Sequence, residues 1–178
     1  MRLVEKRLRP SRRDVLMAGG AGLLAMQVLP GGLVTGKAWA AAPVGVTAET
    51  YAAMVQISRD LYPHDQLEDR FYAAAVDALD QAAASDPAAR DMLEAGVADL
   101  NAAADAAHGS TYVGIGAEAD RVALLKEREQ SPFVQRLRGN LVTGIYNNKE
   151  VWPIFGYEGE SASKGGYIDR GFDDVTWL

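Results

Sequence analysis

From Thr47 onward, apolar residues recur every three or four positions, the spacing of helices that bury one face. Thr47 is a good N-cap with Glu49 in the turn behind it. Tyr51, Met54, Val55, Ser58, Leu61 and Tyr62 line one side of the helix it opens, and Pro63 ends that helix. A second helix is predicted from Leu67 to Ala84, with Phe71, Ala74, Ala75, Ala78, Leu79 and Ala82 as its stripe. Asp86 and Pro87 then supply a cap and a first-turn proline for a third. Its stripe is Leu93, Val97, Leu100, Ala104 and Ala107, and Gly109 ends it. A fourth runs from Ala117 to about Glu129 through Val122 and Leu125. Ser131 and Pro132 open a fifth, with Val134, Leu137, Leu141 and Ile145 inward and Arg138 facing in through its stem. Alternation never persists long enough to predict a strand. The expected fold is therefore all-α, a small domain of about five helices.

The pattern changes at both ends. After Val151 glycines break any helix, yet aromatic residues persist: Trp152, Phe155, Tyr157, Tyr167, Phe172 and Trp177. A disordered tail is poor in aromatics. This irregular segment, 151–178, is expected to wrap over its own helices, to contact a partner, or to do both.

Ahead of the first helix stands Ser11-Arg12-Arg13-Asp14-Val15-Leu16-Met17, leading into a glycine-diluted apolar stretch that reaches Val34. This resembles a twin-arginine export signal, the kind that sends proteins across the bacterial inner membrane already folded. The stretch, broken at Pro30 and Gly31, falls short of the roughly 20 apolar residues of a membrane span. Ala38-Trp39-Ala40 has the small-x-small form that signal peptidase reads, so cleavage is expected after Ala40, with Ala42 as the alternative. The expected division is a signal peptide over 1–40 and a helical domain over 41–178, located in the periplasm or on the periplasmic face of the inner membrane.

Charge and cysteine content narrow the function. Residues 1–40 hold seven of the 18 basic side chains and two of the 24 acidic ones, which leaves a net of −11 for the remainder. Such a surface argues against nucleic acid as a partner. With no cysteine there is no thiolate metal set, no covalent haem motif, no nucleophilic thiol and no disulfide. Two histidines exist. His64 follows a helix end, where histidine more often caps or packs than catalyses, and His108 reads as a C-terminal helix charge. Gly114-Ile115-Gly116 is too short for a phosphate loop, and Asp173-Asp174 has no further ligand pattern around it. No independent catalytic, cofactor or metal site is expected in this chain.

Leu61-Tyr62-Pro63-His64-Asp65, Phe71-Tyr72, Val151-Trp152-Pro153-Ile154-Phe155-Gly156-Tyr157-Glu158-Gly159 and Gly165-Gly166-Tyr167 resemble motifs of the gluconate 2-dehydrogenase subunit 3 family. The resemblance spans the mature chain, with its motifs at the two ends. It implies the small, signal-bearing subunit of a membrane-associated bacterial flavin dehydrogenase. FAD would sit in a large partner subunit of the glucose–methanol–choline oxidoreductase type, and a cytochrome c subunit accompanies many such complexes. The small subunit would escort the flavin subunit through the twin-arginine translocase and support its maturation. Tyr62, His64, Trp152, Phe155, Tyr157, Tyr167, Phe172 and Trp177 become the expected partner interface, and Arg12 and Arg13 the export determinant. The competing expectation is a free-standing periplasmic helical binding protein or enzyme exported folded by the same route.

Overall fold

In the computed structural model, residues 42–168 are described, and they contain five α-helices and three short 3-10 turns with no strand among them. The helices are α1 (Ala48–Leu61), α2 (Asp69–Ser85), α3 (Pro87–His108), α4 (Glu118–Glu127) and α5 (Pro132–Tyr146). The 3-10 turns are Tyr112–Gly114, Trp152–Phe155 and Ser161–Lys164. The signal, with Arg12, Arg13, Ala38 and Ala40, and the tail residues Phe172 and Trp177 lie outside the described residues.

The ends of the helices follow their sequence signals. Thr47 accepts a hydrogen bond from the Thr50 amide, Asp86 accepts from Ala88 and Ala89, and Ser131 accepts from Val134. Each satisfies amides that a helix start leaves unpaired. Gly109 closes α3 in the left-handed conformation expected of a C-terminal glycine.

Packing centres on α2, which lies against α1, α3 and α5, while α4 rests on α3 and α1. The buried apolar residues form one continuous core that includes Met54, Ile57, Tyr72, Val76, Leu100, Leu137, Leu141 and Ile145. The α2–α5 crossing is tight. A Cβ on Gly144 would stand 2.7 Å from Ala75 Cβ, so both residues must be small for these helices to meet.

Three helix faces differ in part from expectation. The buried side of α2 is Phe71, Tyr72, Ala73, Ala75, Val76, Leu79, Asp80 and Ala83, while Ala74 and Ala78 are exposed. Alanine is as content outside a helix as inside, so the stripe of alanines carried no directional information; Tyr72 and Val76 did. Arg138 and Ala107 also face solvent, and Phe133 occupies the inward position at the start of α5 instead. Leu67, Tyr112, Ile115 and Val151 join the core from outside the α-helices.

Two polar clusters fix the chain between elements. Asp60, on the inner face of α1, accepts from Tyr112 Oη at 2.7 Å and from Arg121 Nε and Nη2 at 2.8 and 2.9 Å. Arg121 also donates to the Ile115 carbonyl at 2.8 Å. This bidentate pair, nearly out of water, joins α1 to α4 and to the turn between α3 and α4. Burial first, and then the Asp60 carboxylate, push the Tyr112 phenol above its ordinary range. The hydrogen bond to Asp60 holds the Arg121 guanidinium still more firmly protonated.

The second cluster holds the start of the domain. Asp80, buried on α2, accepts from the amides of Val44 at 2.8 Å, Gly45 at 2.9 Å and Val46 at 2.9 Å. Glu94 of α3 accepts from the Thr47 amide at 2.7 Å and from the hydroxyls of Thr47 and Thr50. The segment before α1 is thereby bonded to α2 and α3 along four consecutive backbone amides.

Candidate functional site

The chain reverses after α1 at Pro63, and the loop that follows is tied down by a tyrosine. Tyr72, fully buried on α2, donates to the Tyr62 carbonyl at 2.6 Å and accepts from the His64 amide at 3.2 Å. Burial raises the Tyr72 phenol above its usual range. Arg59 pairs with Asp69 and donates to the Leu67 carbonyl, which closes the other side of the loop. Tyr62 and His64 are thus held half-buried at the carboxyl end of α1.

The carboxyl end of α5 arrives at the same place. His64 Nε2 and Tyr146 Oη are hydrogen-bonded at 2.7 Å, and their rings meet edge to face at 5.7 Å between centroids. Tyr62 meets Tyr146 edge to face at 6.0 Å. Beyond α5, Asn148 and Val151 form a turn, and Val151 plugs the core. That plug delivers Phe155 onto the His64 ring at 4.9 Å and beside Tyr146 at 6.0 Å. Trp152 donates from Nε1 to the Tyr146 carbonyl at 2.8 Å, and Tyr157 stands edge-on to Trp152 at 5.2 Å. Lys149 lies over the Trp152 ring at 5.6 Å.

Of the eight expected interface residues, Tyr62, His64 and Phe155 form one cluster, joined through the Tyr146 carbonyl to Trp152 and Tyr157. Tyr167 is largely exposed and stands apart from the rings of the cluster. Phe172 and Trp177 fall outside the described residues. Two members had not been foreseen. Tyr72 is the buried phenol behind the cluster, and Tyr146 is its centre. Tyr146 sits one residue past the Leu141–Ile145 stripe, off the buried face, which is where an aromatic at a helix end becomes visible as surface.

This end is where the domain shows most of its bulky apolar surface. Val142, Tyr146, Ile154 and Tyr157 are exposed there, and among described residues the other large apolar side chains so exposed are Val44, Tyr167 and Ile168. Val142 is one turn before Tyr146 on α5, so the apolar surface continues up that helix. The aromatic cluster is rigid behind and open in front. Such a surface can present rings to another protein at low entropic cost.

A separate open-sided groove of about 270 Å³ lies between α3 and the start of α5, lined among others by Met92, Gly96, Arg128 and Phe133. It is at the small end for a ligand site. None of the described helices is long and apolar enough to cross a membrane. No family model, curated protein or solved structure matches the chain.

Proposed function

We propose that this chain is the non-catalytic small subunit of a periplasmic or membrane-associated FAD-dependent dehydrogenase, the role implied by its resemblance to the gluconate 2-dehydrogenase subunit 3 family. It grips the large flavin subunit in the cytoplasm and lends it the twin-arginine signal. FAD belongs to that partner, folded around it before export, and where a cytochrome c subunit is present it takes the electrons onward.

The observation that carries the reading is the aromatic end. Residues of the two motif regions behind the resemblance, Tyr62 to His64 and Trp152 to Tyr157, come together around Tyr146 in one exposed patch. Residues some 90 positions apart in sequence share a surface there, as an interface requires. Geometry favours the dual role as well. The chain enters the domain at the amino end of α1, and the aromatic patch caps its carboxyl end. The 14 residues of α1 separate them by about 21 Å at 1.5 Å per residue. A partner on the aromatic end would leave the amino end of α1, where the chain enters the domain, uncovered.

The test is export of a second polypeptide. Arg12→Lys with Arg13→Lys, made in the full chain co-expressed with its flavoprotein, is expected to strand the flavoprotein in the cytoplasm. Flavin absorbance and immunoblotting of cell fractions read the outcome. A flavoprotein that still reaches the periplasm in the double variant removes the escort role.

A further inference from the structure

Two bonds with the small-x-small pattern ahead of them lie nearest the start of the domain. Ala38 and Ala40 precede the bond to Ala41, and Ala40 and Ala42 precede the bond to Pro43. The pattern favours the first and leaves the second as the alternative. The Asp80 clamp bears on the choice, because a peptidase cleft takes its substrate as an extended strand whose backbone amides it must bond.

We infer that the folded domain sets its own mature terminus, with cleavage at the Ala40–Ala41 bond and the Asp80 clamp protecting the bond after Ala42. This rests on the export reading above. For a cut after Ala42, the first three residues past the bond are Pro43, Val44 and Gly45. The amides of Val44 and Gly45 are held by the Asp80 carboxylate. Gly45 is pressed so closely on α2 that an added Cβ would stand 2.0 Å from the Asp80 carbonyl oxygen and 2.5 Å from the Ala84 nitrogen. Val46, bonded to the same carboxylate, is buried. No cleft wall fits between this segment and the helix. Pro43 adds a second barrier, since it offers no amide and restricts the residue before it. For a cut after Ala40, the three residues past the bond are Ala41, Ala42 and Pro43, all of which precede the first clamped amide. In the reaction, water cleaves the Ala40–Ala41 amide under a membrane-bound signal peptidase. The hydroxyl goes to the Ala40 carbonyl carbon and the proton to the Ala41 nitrogen.

Because twin-arginine substrates cross folded, the clamp is already closed when the peptidase meets the chain. The two barriers can be separated. The full chain, co-expressed with its flavoprotein, is recovered from the periplasm and its intact mass and terminal sequence are read. Wild type is expected as one species beginning at Ala41. Pro43→Ala alone is expected to keep that terminus, because the clamp remains. Pro43→Ala with Asp80→Asn is expected to give a second species lighter by two alanines, begun at residue 43. A wild-type terminus at Pro43, or a mixture in Pro43→Ala alone, overturns the inference whether or not the Asp80 variant folds. Export with the wrong terminus removes only this inference. A chain kept whole in the cytoplasm removes the export reading and this inference with it.

Discussion

The two ends of α1 spend their side chains differently. At the amino end, Asp80 and Glu94 turn their carboxylates on the chain's own backbone, with Asp80 itself buried. At the carboxyl end, Tyr62, His64, Tyr146, Phe155 and Trp152 engage one another on one side and face outward on the other. Buried charge satisfied by backbone amides is costly to disturb and can be offered to no one else. Half-buried rings are secured by part of their surface and keep the remainder for a partner. The comparison separates what holds this domain from what the domain can hold.

The largest effect should come from removing the carboxylate. Asp80→Ala leaves three amides without their charged acceptor, one of them in a buried residue, and is expected to cost about 3 kcal/mol of folding stability. Urea unfolding of the chain measures it, and the folded fraction should keep whatever affinity the wild-type chain shows for the proposed flavoprotein partner. A loss of affinity without a loss of stability would erase the distinction between the two ends.

At the aromatic end the pattern should invert. Trp152→Ala and Phe155→Ala are each expected to weaken assembly by about 2 kcal/mol, as truncated interface anchors do. Their cost in stability should be smaller, since both side chains are only partly buried. Titration of the tagged chain against the proposed flavoprotein partner gives the first number and denaturant unfolding the second. Unchanged co-purification after both substitutions would return these rings to intramolecular packing alone.

What could be read from the sequence divides along the same line. The helices were legible because Thr47, Asp86-Pro87, Gly109 and Ser131-Pro132 are local signals, each acting within one turn of itself. The membership of the aromatic patch was half legible: Tyr62, His64 and Phe155 stood out as motif residues, but their meeting depends on how α1 and α5 end side by side. Tyr146, which joins them, carries no local mark beyond being an aromatic off its stripe. The inner face of α2 was only half right, with Phe71, Ala75 and Leu79 buried as expected, and the rest was misplaced for an energetic reason. Alanine loses little by being exposed and gains little by burial, so an alanine-rich helix can be turned by one position without violating its pattern. Tyr72 and Val76, with more apolar area to hide, set the true orientation. Asp60 and Asp80 were invisible as fixtures because their partners, Arg121, Tyr112 and the 44–46 amides, are remote in sequence.

The smallest effect tests the comparison by proton. Tyr51, near the amino end of α1, is 5% exposed and donates to Asp77 at 2.5 Å. Burial, followed by that carboxylate, raises its phenol far above the ordinary range. Tyr146 is raised too, by burial, yet it is 40% exposed. A phenol whose folded pKa is raised favours the neutral form in the native state. Its contribution is fully present below the unfolded pKa of about 10 and is lost as pH rises beyond it, because the unfolded chain then releases a proton that the native chain keeps. Stability should therefore be flat with respect to these phenols below pH ~10 and fall above it, by up to about 1.4 kcal/mol per pH unit for each phenol that stays protonated. Tyr51→Phe should remove one such contribution and flatten the alkaline slope, whereas Tyr146→Phe should alter it little. Thermal melts of both variants between neutral and strongly alkaline pH decide the matter. An alkaline slope that follows Tyr146 instead would mean that the aromatic end is closed on itself, as the amino end is, and has no face to spare for a partner.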